Sequence, residues 1–159
     1  MTINLNELPR GGTLCLSKAG LAIGGTDTAT LAIAAPNGAG VDFAINGILY
    51  HKADAEDALA FTAGTAQGLL TKCLYLVCLD ADGTLSTVQG TAVLTADLVA
   101  GTKVLEWPTP TKDTCCIGAV KVQTLLDVNF TAGTTDLDAT SIADVYYDLV
   151  AVPAAPLTS

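Results

Sequence analysis

The sequence predicts an all-β protein: a single β-sandwich or β-barrel domain with an extended N-terminal arm. Short apolar runs recur along the chain, each broken by Gly, Asn, Asp or Thr, which is the pattern of strands joined by turns. Long amphipathic helical patterns are missing. The length of 159 residues suits one domain, or one domain plus an arm, and would cramp two.

Taken in chain order, strands are predicted at Thr13–Leu16, Ala29–Ala34, Asp42–His51, Lys72–Asp80, Thr84–Gln89, Lys103–Trp107, Cys116–Thr124 and Asp144–Val152. Ala53–Ala60 is the one helical candidate, two turns at most, with an acidic loop as its equal alternative. Asp80-Ala81-Asp82-Gly83 reads as a hairpin turn, Asp supplying local hydrogen bonds and Gly a positive φ. Along Cys116–Thr124, Cys116, Gly118, Val120 and Val122 share one face. Ile117, Ala119, Lys121 and Gln123 share the other, giving a half-buried strand with a wet side. The last strand carries apolar residues on both faces, so both should be covered, by the domain or by a partner.

Pro36-Asn37-Gly38-Ala39-Gly40 reads as a hinge, and every aromatic residue follows it. The chain therefore divides into an arm over residues 1–40, a β domain over 41–152 and an extended tail over 153–159. The apolar residues Ile3, Leu5, Leu8, Leu14, Leu16, Leu21 and Ile23 are candidates for contacts with another subunit. The alternative is that they belong to the domain's own sheet.

Composition narrows the function. Seven basic against sixteen acidic residues leave a net charge of −9, against nucleic acid and anionic membrane surfaces alike. A mean hydropathy of +0.49 is too high for a disordered chain. The N-terminus lacks the basic start and apolar core of a secretory signal, and no apolar run reaches the roughly 20 residues of a membrane helix. A soluble protein made in the cytosol is expected. The five cysteines, Cys15, Cys73, Cys78, Cys115 and Cys116, show no Cys-x-x-Cys spacing and read as small buried hydrophobes, with no metal or disulfide role.

Catalytic chemistry has little to work with. His51 is the only imidazole, ends a strand, and has neither a Gly-x-Ser-x-Gly elbow nor many serines to serve. Asp54, Glu56 and Asp57, or Asp136 and Asp138, could hold a hard cation. Asp80-Ala81-Asp82-Gly83 opens like a calcium loop but lacks the later bidentate Glu, so solvated turn acids are the better reading. The Gly-rich segments at 23–26 and 36–40 lack phosphate-loop spacing. Trp107, in Glu106-Trp107-Pro108, could stack on a sugar, with Tyr146 or Tyr147 as further platforms. A single exposed indole more often packs over a barrel mouth or a subunit contact, and Trp107 and Tyr146 are taken as interface candidates. No enzyme activity and no cofactor are expected.

The run Asp42-Phe43-Ala44-Ile45-Asn46-Gly47-Ile48-Leu49-Tyr50-His51-Lys52 resembles the opening "F-x-Ile-(Asn/Asp)-Gly-x-x-Tyr-x-Lys" of small structural proteins from tailed-bacteriophage virion gene clusters. The likeness continues through Cys73-Leu74-Tyr75-Leu76-Val77, Asp82-Gly83-Thr84, Gly90-Thr91-Ala92-Val93 and Cys116–Val122. It ends with Phe130–Ala139 and Val145-Tyr146-Tyr147-Asp148-Leu149, covering residues 41–150. The resemblance implies a capsid decoration or cement protein on the outer shell, bound to the major capsid protein and to itself, as a homotrimer. A head-fibre base, neck or tail component is the alternative within the virion, and a carbohydrate-binding module for host adsorption the alternative outside that class.

Overall fold

The computed structural model describes residues 12–150 of the chain. Among the described residues there are eleven strands and one short helix: β1 Leu14–Cys15, β2 Leu21–Ile23, β3 Thr30–Ile33, β4 Val41–Ile45, β5 Ile48–Lys52 and β6 Ala55–Ala60, then β7 Thr71–Leu79, β8 Leu85–Gln89, β9 Val93–Leu94, α1 Thr95–Val99, β10 Cys115–Thr124 and β11 Ile142–Asp148. All pairings are antiparallel, as an all-β sandwich-like domain requires. The main sheet runs β11-β10-β7-β8, with β9 also on β7; two smaller sheets run β1-β4-β5 and β2-β3-β6.

One apolar core joins the three sheets. Phe43, Val41, Leu31, Ile33 and Leu21 from the small sheets meet Tyr75, Val77, Leu79, Ile117, Val120 and Val122 from the large one. Phe61, Tyr75 and Phe130 meet edge-to-face with ring centroids 5.5–5.9 Å apart, the arrangement their quadrupoles favour. The far face of the large sheet is covered too. Leu76, Cys78, Cys116 and Ala119 lie under Val88, Trp107, Tyr147 and Leu149, while Leu74, Val93 and Leu105 form a third cluster.

Several elements differ from expectation. Asp42–His51 is two strands, because Asn46 and Gly47 both take positive φ (52° and 83°) and turn the chain back on itself. That backbone is open to Asn and Gly at low cost. Ala53–Ala60 is neither helix nor loop: its residues 55–60 form β6, hydrogen-bonded to β3. Tertiary pairing overrides the weak helical preference of an alanine-rich segment. The reverse occurs at Lys103–Trp107, which forms no strand beyond a single bridge at Leu105 and lies across the outer face of the large sheet, burying Leu105 and half-burying Trp107. Pro108 and Pro110, lacking N–H groups, are ill-suited to extending a ladder there. β2, β9 and α1 have no counterpart in the predicted elements.

The faces of β10 also differ. A bulge between Cys116 and Gly118 shifts the register against β7, so the parity of the strand changes along its length. Cys115 and Ile117 point into the main core with Val120 and Val122, whereas Cys116 and Ala119 point outward. The strand is covered on both sides as far as Val120, and only Lys121 and Gln123 reach partly into solvent. β11, by contrast, is an edge strand whose Ala143 and Val145 are exposed on one face, so that face is partly open rather than both being covered by the domain.

Within the described part of the predicted arm, β1 pairs with β4, and β3 pairs with both β2 and β6. Residues 14–33 thus belong to the domain's own sheets, the alternative weighed for their apolar side chains. The predicted hinge is a hydrogen-bonded turn, with Gly38 N donating to Ala35 O at 2.8 Å and Ala39 N to Asn37 Oδ1 at 3.0 Å. The tail over 153–159 lies outside the described residues.

Gln67 is a fully enclosed polar side chain at the centre of this packing, 1% exposed. Its Nε2 donates to the carbonyls of Thr71 (3.1 Å) and Val122 (3.0 Å), and its Oε1 accepts from the Tyr75 hydroxyl (3.2 Å). Its backbone exchanges two hydrogen bonds with Phe130. Gln67→Leu keeps the volume but removes the donor to the Thr71 and Val122 carbonyls and the acceptor of the Tyr75 phenol, and is expected to destabilise by about 3 kcal/mol. Urea unfolding of the two proteins measures this; a difference under about 0.5 kcal/mol would show that the network is dispensable.

Candidate functional site

Exposed apolar side chains gather on two parts of the surface. The first is the outer face of the β1-β4-β5 sheet. Leu14 stands opposite Ala44, and Ala44 opposite Leu49, so the three form one row across the sheet. Leu49 is 71% exposed and Leu16, which continues β1, 51%, whereas Leu14 is half-buried and Ala44 between them is buried. Ile48 adds a further exposed apolar residue at the hairpin tip. Cys15 and Phe43, on the opposite face, are buried, which fixes the row's outward direction.

The second is a leucine rim at the end of the large sheet. Leu69 and Leu70 precede β7, Leu94 ends β9, and Leu125 and Leu126 follow β10; all five are exposed. Backbone bonds tie these crossings together, Leu70 N to Leu125 O at 3.4 Å and Thr95 N to Leu70 O at 2.8 Å. Leu70 itself has φ of 55°, a conformation that a branched apolar side chain seldom adopts. Beneath it, the Thr71 and Thr124 hydroxyls both donate to Gly68 O, at 2.7 and 2.6 Å. The rim is thus a fixed apolar edge laid over a buried polar layer. Strain held at an exposed position by such a layer is a mark of a working surface.

The other sequence candidates fall elsewhere. Leu21 is buried in the main core, and Ile23 packs against it. Tyr146 also packs against that core, where burial pushes its phenol well above the ordinary range, with Asp144 beside it adding to the shift. Trp107 meets the Tyr147 ring edge-on at 6.4 Å and lies half-buried over the outer cluster, beside a shallow groove of about 330 Å³ that also includes Gly90, Glu106 and Pro108. The indole thus packs on the outer face of the large sheet rather than standing free of the domain. Ile3, Leu5 and Leu8 lie outside the described residues. Leu14 and Leu16 are the two candidates that share a surface row. The rim was missed in the sequence because its leucines are scattered over three segments; only the doublets Leu69-Leu70 and Leu125-Leu126 at strand ends hinted at it.

His51 gains a partner: its Nδ1 lies 2.8 Å from Asp42 Oδ1, on an open strand face with both side chains about half exposed. Ser17 Oγ, close by, accepts the Asp42 amide proton at 2.9 Å. The turn acids serve the backbone. Asp80 Oδ1 accepts from the Asp82 and Thr84 amides, and Asp54 Oδ1 from that of Ala35. Among the described residues, no three His, Cys, Asp or Glu side chains gather as a metal site would need. No helix among them is long and apolar enough to cross a membrane. No known family, curated protein or solved structure matches the chain.

All five cysteines are buried. Burial pushes the Cys73 thiol up to about 11 and that of Cys115 up to about 12, from 9.0. Both hold their proton more tightly folded than unfolded, so the stability they contribute is full below about pH 9 and is lost as the pH climbs towards their folded values. Melting temperature is therefore expected to fall between pH 9 and 11, and to fall less steeply in Cys73→Ala/Cys115→Ala. Parallel pH profiles for the two proteins would contradict this assignment.

Proposed function

We propose that this protein is a structural component of a bacteriophage virion, a decoration protein that binds the major capsid protein on the outer shell and associates with itself as a homotrimer. The observation that carries the reading is the apolar face on which exposed Leu49 and Leu16 flank half-buried Leu14 and buried Ala44, complemented by the leucine rim. Side chains of this kind on an antiparallel sheet face are the raw material of a subunit contact. The positions that carry the phage resemblance serve the fold. Asn46 and Gly47 make a hairpin turn, Tyr50 stacks on Phe43 at 5.6 Å, and Phe130, Ala132 and Leu137 are buried in the core. These are architectural roles, with the chemistry of contact left to the surface.

A net charge of −9 favours the outer face of a shell over its DNA-lined interior. Each copy would bury a standard interface of roughly 1,200–2,000 Å² against its neighbours, and the gain would add up over many copies. A neck, tail or head-fibre position would use the same surfaces, with far fewer copies per particle. The carbohydrate-binding alternative loses ground to the packing of Trp107 against Tyr147.

Leu49→Asp and Leu126→Asp test the reading. Both residues are mostly exposed (71% and 67%), so the fold should persist, as circular dichroism will show. Co-sedimentation with particles stripped of this protein is expected to drop at least about tenfold for Leu49→Asp, the cost of desolvating a charge at a contact. Undiminished association of both variants, or no association of the unaltered protein, would overturn the proposal.

A further inference from the structure

We propose that Cys78 and Cys116 form a redox-modification site, closing a cross-strand disulfide between β7 and β10. The two residues are Cα partners in the antiparallel ladder, and their Sγ atoms lie 2.8 Å apart, within about 1 Å of the roughly 2.05 Å of a bonded pair. Directly opposed residues in such a ladder hold their Cα atoms about 4.5–5.5 Å apart, inside the range that disulfides span. Little backbone movement is therefore needed.

The bulge creates this juxtaposition. Cys116 would face the main core if β10 kept one parity throughout; the irregularity between Cys116 and Gly118 turns it to the outer face, where Cys78 stands. Adjacent Cys115 faces the opposite way, into the main core with Cys15 and Cys73. Cys73 Sγ is engaged with Gly90 O and Cys15 Sγ with Ser17 O, so neither competes for the pair. The cover over Cys78 and Cys116 includes Trp107, carried on a segment whose one strand-like pairing is a single bridge at Leu105. Backbone held by a single bridge opens more readily than a ladder and admits a small oxidant.

A low-molecular-weight disulfide such as oxidised glutathione supplies the electrons' acceptor. The Cys116 thiolate attacks one glutathione sulfur, forming a mixed disulfide and releasing one glutathione thiolate. The Cys78 thiolate then attacks the Cys116 sulfur, forming the protein disulfide and releasing the second. Two protein thiols are oxidised and one glutathione disulfide is reduced to two thiols, the two released glutathione thiolates taking up the two protons that Cys116 and Cys78 give up. The inference is independent of the virion reading.

The test treats the full chain with oxidised glutathione, unfolds it, alkylates remaining thiols and measures intact mass. The unaltered protein is expected to lose about 2 Da and take up three alkyl groups, five cysteines less the bonded two. Cys73→Ala and Cys115→Ala should still form the bond, while Cys78→Ala and Cys116→Ala should not. These single variants are needed because each member of the pair shares a tryptic peptide with another cysteine. Oxidation should also raise the melting temperature by about 10 °C, from the closed loop between the strands. Five alkylated thiols after oxidation, a persistent glutathione adduct, or a cross-link that survives Cys78→Ala would each overturn the assignment.

Discussion

The pairing of β7 with β10 imposes a demanding condition: both strands are covered on each face over most of their length, so apart from Lys72, Lys121 and Gln123 their side chains are buried on both sides. A bulge in that ladder then distributes the side chains. Cys115 and Ile117 go inward and Cys116 and Ala119 outward, and the parity resumes with Val120 and Val122 inward. Gly118 sits where a Cβ would lie 2.5 Å from the Tyr147 carbonyl oxygen, so only glycine lets β11 approach at that point. The two small sheets close over the inner face, and the segment carrying Leu105 and Trp107 closes over the outer one.

Polar groups inside this packing hold the surface in place. Gln67, Thr71 and Thr124 satisfy one another and the neighbouring carbonyls beneath the leucine rim. A buried network of this kind is rigid when complete, because any movement would leave a donor or acceptor unpaired in a low-dielectric interior. It accounts for how Leu70 is kept at positive φ with its side chain in solvent. On the other sheet, alternation alone does the work: Phe43 and Cys15 inward oblige Ala44 and Leu14 outward. In both places an interior constraint presents an apolar surface, and that link joins the fold to the proposed role in assembly.

The fold class was legible because short apolar runs and turn residues are local signals. The strands at β7 and β8, and the Asp80–Gly83 turn between them, follow from such signals, the turn closing with Gly83 N on Asp80 O at 3.1 Å. The division of Asp42–His51 was equally present in the Asn46-Gly47 pair, and an unbroken apolar run obscured it. β6 was not legible, since its strand character comes from β3 alongside rather than from its own alanines. The bulge in β10 left no mark except Gly118, and the meeting of Cys78 with Cys116 depends on it. The apolar row was half legible: Leu14 and Leu16 stood out as apolar residues, but their alignment with Leu49 is a matter of register between distant segments.

The central claim, that the surface of this domain serves a virion, is tested most directly by cryo-electron microscopy of purified particles, counting and placing copies of the chain. The account predicts hundreds of copies on the icosahedral shell, with Leu14, Leu16 and Leu49 buried against capsid subunits or sister copies. Copies confined to the neck or tail would contradict the decoration role, and absence from the particle would contradict the virion reading altogether.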